Sequence, residues 1–161
     1  MNSKIIGLDE LADGGKALRA AGKKIVATNG CFDLLHAGHV HYLQAARALG
    51  DVLAVGINGD RSVRELKGDG RPINNEKDRA EVLAALACVD LVTIFPQLRA
   101  SQFISASMPA IYVKGGDYTS KTLNVEERAV LKKIGAQIRI LPFEKGYSTS
   151  LLLERLRNIG K

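Results

Sequence analysis

The chain holds three histidines in 161 residues, and all of them, His36, His39 and His41, fall within six positions. Two stand in His36-Ala37-Gly38-His39, at the end of the longer run Thr28-Asn29-Gly30-Cys31-Phe32-Asp33-Leu34-Leu35-His36. On the first turn of a helix, side chains three residues apart project to nearly the same side. A glycine between them lets a ligand approach the backbone, and the unpaired N–H groups of a helix start favour an anion. Two imidazoles placed this way make a phosphate site. The run is not a dinucleotide fingerprint or a P-loop, because neither G-x-G-x-x-G nor G-x-x-x-x-G-K-[ST] is present. Clustered histidines near Cys31 also raise zinc, but no C-x-x-C or H-E-x-x-H pattern supplies the remaining ligands. Ordinary structural histidines are the third reading.

The elements that must carry these residues follow from apolar periodicity. Helices are expected over 8–21, 39–49, 76–87, 101–106, 124–134 and 148–157, and strands over 24–28, 52–57, 91–95, 110–113 and 138–141. Gly135 should close the fifth helix, Ser148 or Thr149 should cap the sixth, and Gly14-Gly15 weakens the first. Strict alternation of helix and strand implies an α/β fold, a doubly wound open parallel sheet of about five Rossmann-like strands. Ligands of such sheets bind beyond the carboxyl ends of the strands. The turns after Thr28, Ile57, Val113 and Leu141 should therefore face one crevice.

Composition sets the outer limits. With 46% hydrophobic and 25% charged residues, collagen-like, coiled-coil and disordered classes drop out, and 161 residues suit a single domain. The longest apolar run, Val82 to Val89, is far shorter than the ~20 residues that span a bilayer, and the N-terminus carries no apolar leader. A cytoplasmic protein without membrane contact is expected. Cys31 and Cys88 lie far apart, so no disulfide is expected. The net charge of +6 calls for an anionic partner. Aromatic residues are only 5%, and no basic run exceeds Lys23-Lys24 or Lys132-Lys133. That favours a small polyphosphate over nucleic acid.

The run Gly30-Cys31-Phe32-Asp33-Leu34-Leu35-His36-Ala37-Gly38-His39 resembles the G-x-F-D-x-x-H-x-G-H signature of the cytidylyltransferase-like nucleotidyltransferases. Gly146-Tyr147-Ser148-Thr149-Ser150 is similar to their second signature, a Ser/Thr run opening the last helix. Within that superfamily, three segments resemble the bacterial heptose 1-phosphate adenylyltransferases: residues 28–33, then Arg71-Pro72 with residues 78–86, then residues 113–118. The similarity spans residues 8–157, without the sugar kinase that is fused ahead of this domain in many bacteria. Glycerol-phosphate and phosphocholine cytidylyltransferases usually show R-T-x-G-[IV]-S-T, where this chain has Phe143-Glu144-Lys145-Gly146-Tyr147.

The resemblance implies transfer of AMP from ATP, carried with Mg²⁺, to a heptose 1-phosphate, without a covalent intermediate. His36, His39 and Lys67 are then the catalytic residues, with Lys67 a mobile cation in a glycine-flanked loop. Asn29, Gly30, Cys31, Phe32, Gly38, Arg71, Ser148, Thr149 and Ser150 would hold the nucleotide. Asp33, Lys114, Gly115, Gly116 and Asp117 would hold the sugar phosphate, and no protein metal site is implied. Asp33 has other readings: holding Lys67 or another cation, placing Mg²⁺, or capping a helix. Arg79 is either a phosphate ligand or a surface charge, and Asp60 is a lesser contact candidate. Cys31 reads as a small half-buried side chain rather than a nucleophile. A homo-oligomer, dimer or higher, is expected. A cytidylyltransferase acting on an alcohol phosphate, and a non-catalytic nucleotide-binding module, are the alternatives.

Overall fold

The computed structural model describes residues 3–116, 122–142 and 146–159. In chain order these form α1 (Leu8–Ala20), β1 (Ile25–Gly30), α2 (Ala37–Arg47), β2 (Val52–Asn58), α3 (Asp60–Lys67) and α4 (Glu76–Ala84). There follow β3 (Leu91–Phe95), α5 (Ser101–Ser107), β4 (Ile111–Gly115), α6 (Val125–Ile134), β5 (Gln137–Leu141) and α7 (Thr149–Arg157). The five strands are all parallel, in the order β3-β2-β1-β4-β5. The chain winds outward from β1 in both directions, as the alternating pattern requires.

Strand side chains alternate between faces, so each buried strand supplies two cores. Val26, Leu53, Val55 and Ile57 pack with Leu43 and Ala46 of α2 and with Ala80 and Leu83 of α4. Ile25, Ala27, Ala54 and Phe95 face the other way, onto Leu11, Phe103, Ile104 and Leu131 from α1, α5 and α6. Gly15 of α1 lies against the end of α5, where an added Cβ would sit 3.5 Å from the Ser107 carbonyl and 3.1 Å from the Arg19 guanidinium. This close helix crossing gives Gly15 a structural reason, whereas an added Cβ at Gly14 would meet nothing within 4 Å. Ahead of α1, the chain also pairs with β3, Val92 N–H donating to the Lys4 carbonyl at 2.8 Å and Ile6 N–H to the Val92 carbonyl at 3.0 Å. A sheet edge that would otherwise be open is thereby covered.

Five elements differ from the sequence reading in ways that matter for function. β1 runs to Gly30 and β4 to Gly115, so Asn29, Lys114 and Gly115 belong to strands rather than to the turns after them. α2 begins at Ala37, with His36 as its N-cap residue, so His39 stands in the first turn. The stretch after Gly59 is not a loop but helix α3, and Lys67 is its last residue, followed by Gly68 at φ 89°. That helix escapes periodicity because it buries only Ser62 and Val63. α4 stops at Ala84, shorter than expected.

Candidate functional site

The ends of β1, β2 and β4 and the start of α7 enclose a cleft of about 720 Å³. Its lining includes Asn29 to Asp33 after β1, Asn58 at the end of β2, Lys114 and Gly115 in β4, and Thr149 and Ser150 of α7. The crevice therefore lies where the strand order predicts, beside β1, from which the sheet winds both ways.

His36 and His39 are stacked at the start of α2, ring centroids 3.9 Å apart and tilted by 32°. His39 lines the cleft and leans on Phe32, whose ring is 5.5 Å away. His36 lies on its other side, stacked at 6.0 Å on Tyr147. Nδ1 of each ring is enclosed without a hydrogen bond, which leaves Nε2 as the nitrogen that can meet a ligand. Burial, and then the nearby His36, press the His39 pKa down to about 4, while burial also lowers that of His36. At neutral pH the pair is uncharged.

A testable consequence concerns acid. Between its ordinary value of 6.5 and about 4, His39 binds a proton in the unfolded chain but not in the folded one. Linkage then makes stability fall as pH drops through that window, with no contribution from this group above it. Urea midpoints should decline between pH 7 and pH 4.5, and His39→Asn should flatten part of that decline. An unchanged pH slope in the variant would show that His39 is not the group responsible.

Gly38 is occupied in a way the sequence did not suggest. An added Cβ there would stand 2.8 Å from Tyr147 Cβ and 3.1 Å from His36 Nδ1. The glycine thus admits the segment ahead of α7 rather than leaving open room for ligand. Phe32 turns the chain at φ 45°, a strained conformation for a bulky side chain, with its ring against Gly30. The Cys31 thiol lines the cleft, and burial pushes its pKa up, in keeping with a small protonated side chain.

Asp33 is buried, and its carboxylate is already employed. Oδ2 accepts from Arg71 Nε at 2.5 Å, and Oδ1 accepts from the amides of Ile73 and Asn74 at 2.8 and 3.0 Å. Those bonds outweigh burial and hold its pKa below the usual carboxylate value. Among its readings the geometry supports the cation holder, with Arg71 as the cation instead of Lys67. Arg71 still lines the cleft, together with Lys67, Arg99 and Lys114. Apart from Asp33, the one carboxylate among the described lining residues is Glu127, whose Oε1 accepts from the Ala100 amide at 2.9 Å. The balance suits a polyanion.

Arg79 is neither a phosphate ligand nor a surface charge: it is 2% exposed. Its guanidinium donates to the carbonyls of Asn74 at 3.0 Å, Cys31 at 2.5 Å and Asn58 at 2.8 Å, and pairs with Asp60 Oδ1 at 2.8 Å. One side chain thereby fixes the turn after β1, the end of β2, the segment leading into α4, and the start of α3. Asp60 is the counter-ion of this tie.

On the other side of β1, the Asn29 amide oxygen accepts from both Tyr112 Oη and, at 2.7 Å, Lys114 Nζ. Tyr42 Oη donates to the Val113 carbonyl at 3.1 Å and shares a 2.7 Å bond with Thr28 Oγ1. At the second signature, Ser148 caps α7 by accepting from the Leu151 amide at 3.0 Å, and Thr149 Oγ1 reaches the Leu34 carbonyl at 3.4 Å. Thr149 and Ser150 line the cleft. Gly116 follows β4 at φ 79°, whereas Asp117 lies outside the described residues. Tyr42, Asn58, Arg99, Tyr112 and Glu127 were not singled out from sequence. Asn58 had a signal, being a polar residue at the outer end of its strand.

Among the described residues, no three or more His, Cys, Asp or Glu side chains gather as a metal site. The oxygens of Asp33 are taken by a guanidinium and two amides, so the cleft does not fit a cation held by protein carboxylates. No described helix is long and apolar enough to cross a membrane.

The cleft is that of a nucleotidyltransferase: parallel strand ends, a helix N-terminus bearing two imidazoles, and cations around a space for a nucleotide. Residues 27–155 match the family model described as Cytidylyltransferase-like, and the chain belongs to that family. It is 49% identical over 155 residues to the Bifunctional protein HldE of Pelobacter propionicus, covering 96% of this chain and 31% of that protein. With the Bifunctional protein HldE of Methylococcus capsulatus it shares 52% identity over 153 residues, covering 95% of this chain and 32% of that one. The chain spans about a third of the length of these curated relatives. Among solved structures, it is 28% identical to the lipopolysaccharide core biosynthesis protein from Thermoplasma volcanium, with a TM-score of 0.64 over 79% of this chain and 100% of that one. A pantoate-beta-alanine ligase from Francisella tularensis, 15% identical with a TM-score of 0.58, shares the fold.

Proposed function

We propose that the protein transfers AMP from ATP to D-glycero-β-D-manno-heptose 1-phosphate, giving ADP-heptose and pyrophosphate for the lipopolysaccharide inner core. The observation that carries the reading is the stacked His36–His39 pair at the N-terminus of α2, beside the cation-lined cleft. The sugar substrate rests on the three segments that resemble heptose 1-phosphate adenylyltransferases. The similarity to the lipopolysaccharide core biosynthesis protein from Thermoplasma volcanium points in the same direction.

In this reaction a phosphate oxygen of the sugar attacks the α-phosphorus of ATP in line. One P–O bond forms there as the bond to the β-phosphate oxygen breaks, and pyrophosphate leaves with the electron pair. Positioning and charge stabilisation are what such a transfer needs. The imidazole N–H groups and the α2 N-terminus stabilise charge on the transferring phosphoryl group. Lys67 and Arg99 neutralise the anions from the rim. Mg²⁺ enters as part of the MgATP substrate.

The direct test is pyrophosphate release from purified protein with Mg²⁺, pairing ATP or CTP with heptose 1-phosphates, hexose 1-phosphates and glycerol 3-phosphate. Release with ATP and a heptose 1-phosphate alone is the expected result. Release only with CTP, or only with glycerol 3-phosphate, would overturn the substrates and keep the chemistry. No release with any pair would make the domain a nucleotide-binding module without turnover.

A further inference from the structure

The main-chain register between β1 and β4 is short. It pairs Val26 with Ile111 and Ala27 with Tyr112 and goes no further, although both strands continue towards the cleft. Beyond that point the two strands are joined by side chains. Tyr42 bridges Thr28 to the Val113 carbonyl, and Tyr112 and Lys114 reach across to Asn29.

The last of these contacts fixes more than distance. An amide side chain carries an acceptor at one end and two donors at the other, and an ammonium group has donors only. Lys114 is 9% exposed and Tyr112 fully buried, so the amide atom facing the ammonium must be the oxygen, and the amide cannot turn over without setting its own N–H₂ against the Lys114 donors. Its Nδ2 has no hydrogen-bond partner among the described residues, and Asn29 lines the cleft. The N–H₂ is therefore the end left to a ligand. In a cleft bordered by cations and a helix N-terminus, the acceptors it would meet are phosphoryl oxygens.

We propose that Tyr112 and Lys114 are positioning residues that act on the nucleotide through Asn29: by occupying its amide oxygen, they hold its N–H₂ as a donor to a phosphoryl oxygen of the bound nucleotide. The proposal rests on the nucleotidyltransferase reading and goes beyond it by giving two buried side chains an effect on binding that neither needs direct ligand contact to exert.

The test is calorimetric titration of MgATP into the full chain and its variants, with thermal unfolding as the control for folding. Asn29→Asp keeps the shape and satisfies Tyr112 and Lys114, but turns an oxygen into the cleft. Its affinity should fall at least tenfold while the melting temperature holds. Tyr112→Phe leaves a ring of nearly the same size in the core and loosens one anchor, so its affinity should fall about threefold to tenfold.

A double-mutant cycle separates positioning from a structural role. Tyr112→Phe should cost nothing further in an Asn29→Ala background. An equal cost in both backgrounds would mean that Tyr112 does not work through Asn29, and the proposal would fall. Undiminished binding by Asn29→Asp would overturn it as well. If the unmodified chain bound no MgATP, the functional reading beneath it would fail first, so the two failures are distinguishable.

Discussion

His39→Ala is expected to lower turnover by about 10²–10³, the effect of deleting one preorganised donor to a charge that develops in the transition state. The ring is held in place. It is braced by Phe32 on one side and by His36 at 3.9 Å on the other, and α2 presents it in its first turn. Because burial keeps it neutral, in the proposed reaction it would meet the phosphates as an N–H donor rather than as a fixed cation. Its loss should therefore appear mainly in kcat, with a smaller change in KM. His36→Ala should fall in the same range. The double variant should lose less than the product of the two, because stacked rings act as a unit. Steady-state pyrophosphate release, with urea midpoints to verify folding, measures all three. Wild-type turnover in a folded His39→Ala protein would remove that ring from the mechanism.

The largest loss of stability is expected from Arg79→Met. Methionine fills much of the same space but donates nothing. It abandons the carbonyls of Cys31, Asn58 and Asn74, and leaves Asp60 without its counter-ion. Asp60 is part-exposed, so the cost lies mainly in the three orphaned carbonyls, at about 1–3 kcal/mol each for buried acceptors left unsatisfied, and a loss of about 3–5 kcal/mol is expected. At roughly 2–4 °C per kcal/mol for a chain of this size, the melting temperature should drop by roughly 6–20 °C. Arg79→Lys should recover only part of this, since a single ammonium cannot serve acceptors spread over the guanidinium plane. Denaturant unfolding reads the result directly. A loss below ~1 kcal/mol would mean that water replaces the tie, and that the loops around the cleft are held by other contacts.

How far each feature was legible depends on whether its signal is local. The parallel sheet was readable because β1, β2 and β3 are short apolar runs between helices, and a buried parallel strand needs no alternation to declare itself. The His36–His39 pair was readable because spacing on one helical turn fixes direction. α3 was not, since a helix that buries only Ser62 and Val63 leaves almost no apolar period. Neither was the work of Arg79, whose four acceptors lie 5 to 48 residues away, three of them main-chain carbonyls, which sequence does not distinguish. Asp33 was recognisable as a polar turn residue, but which cation it holds depended on how the segment from Arg71 to Asn74 folds back. Gly38 was recognised as a close-approach position, while the group that approaches, Tyr147, comes from the far end of the chain.

The short register between β1 and β4 also bears on how the molecule melts. On one side of that line stand β2 and β3, joined to β1 along its whole length, and on the other β4 and β5, joined to each other along theirs. The line is where the chain could come apart into two cooperative blocks. A nucleotide seated between the turn after β1 and the outer part of β4 would lie across it, tying the blocks together as a further rung. Saturation at 100 times Kd supplies about 2.7 kcal/mol to the folded state. If the proposed nucleotide binds across this line, that energy would favour unfolding as one unit. On that reading, substrate would be part of the architecture as well as its cargo.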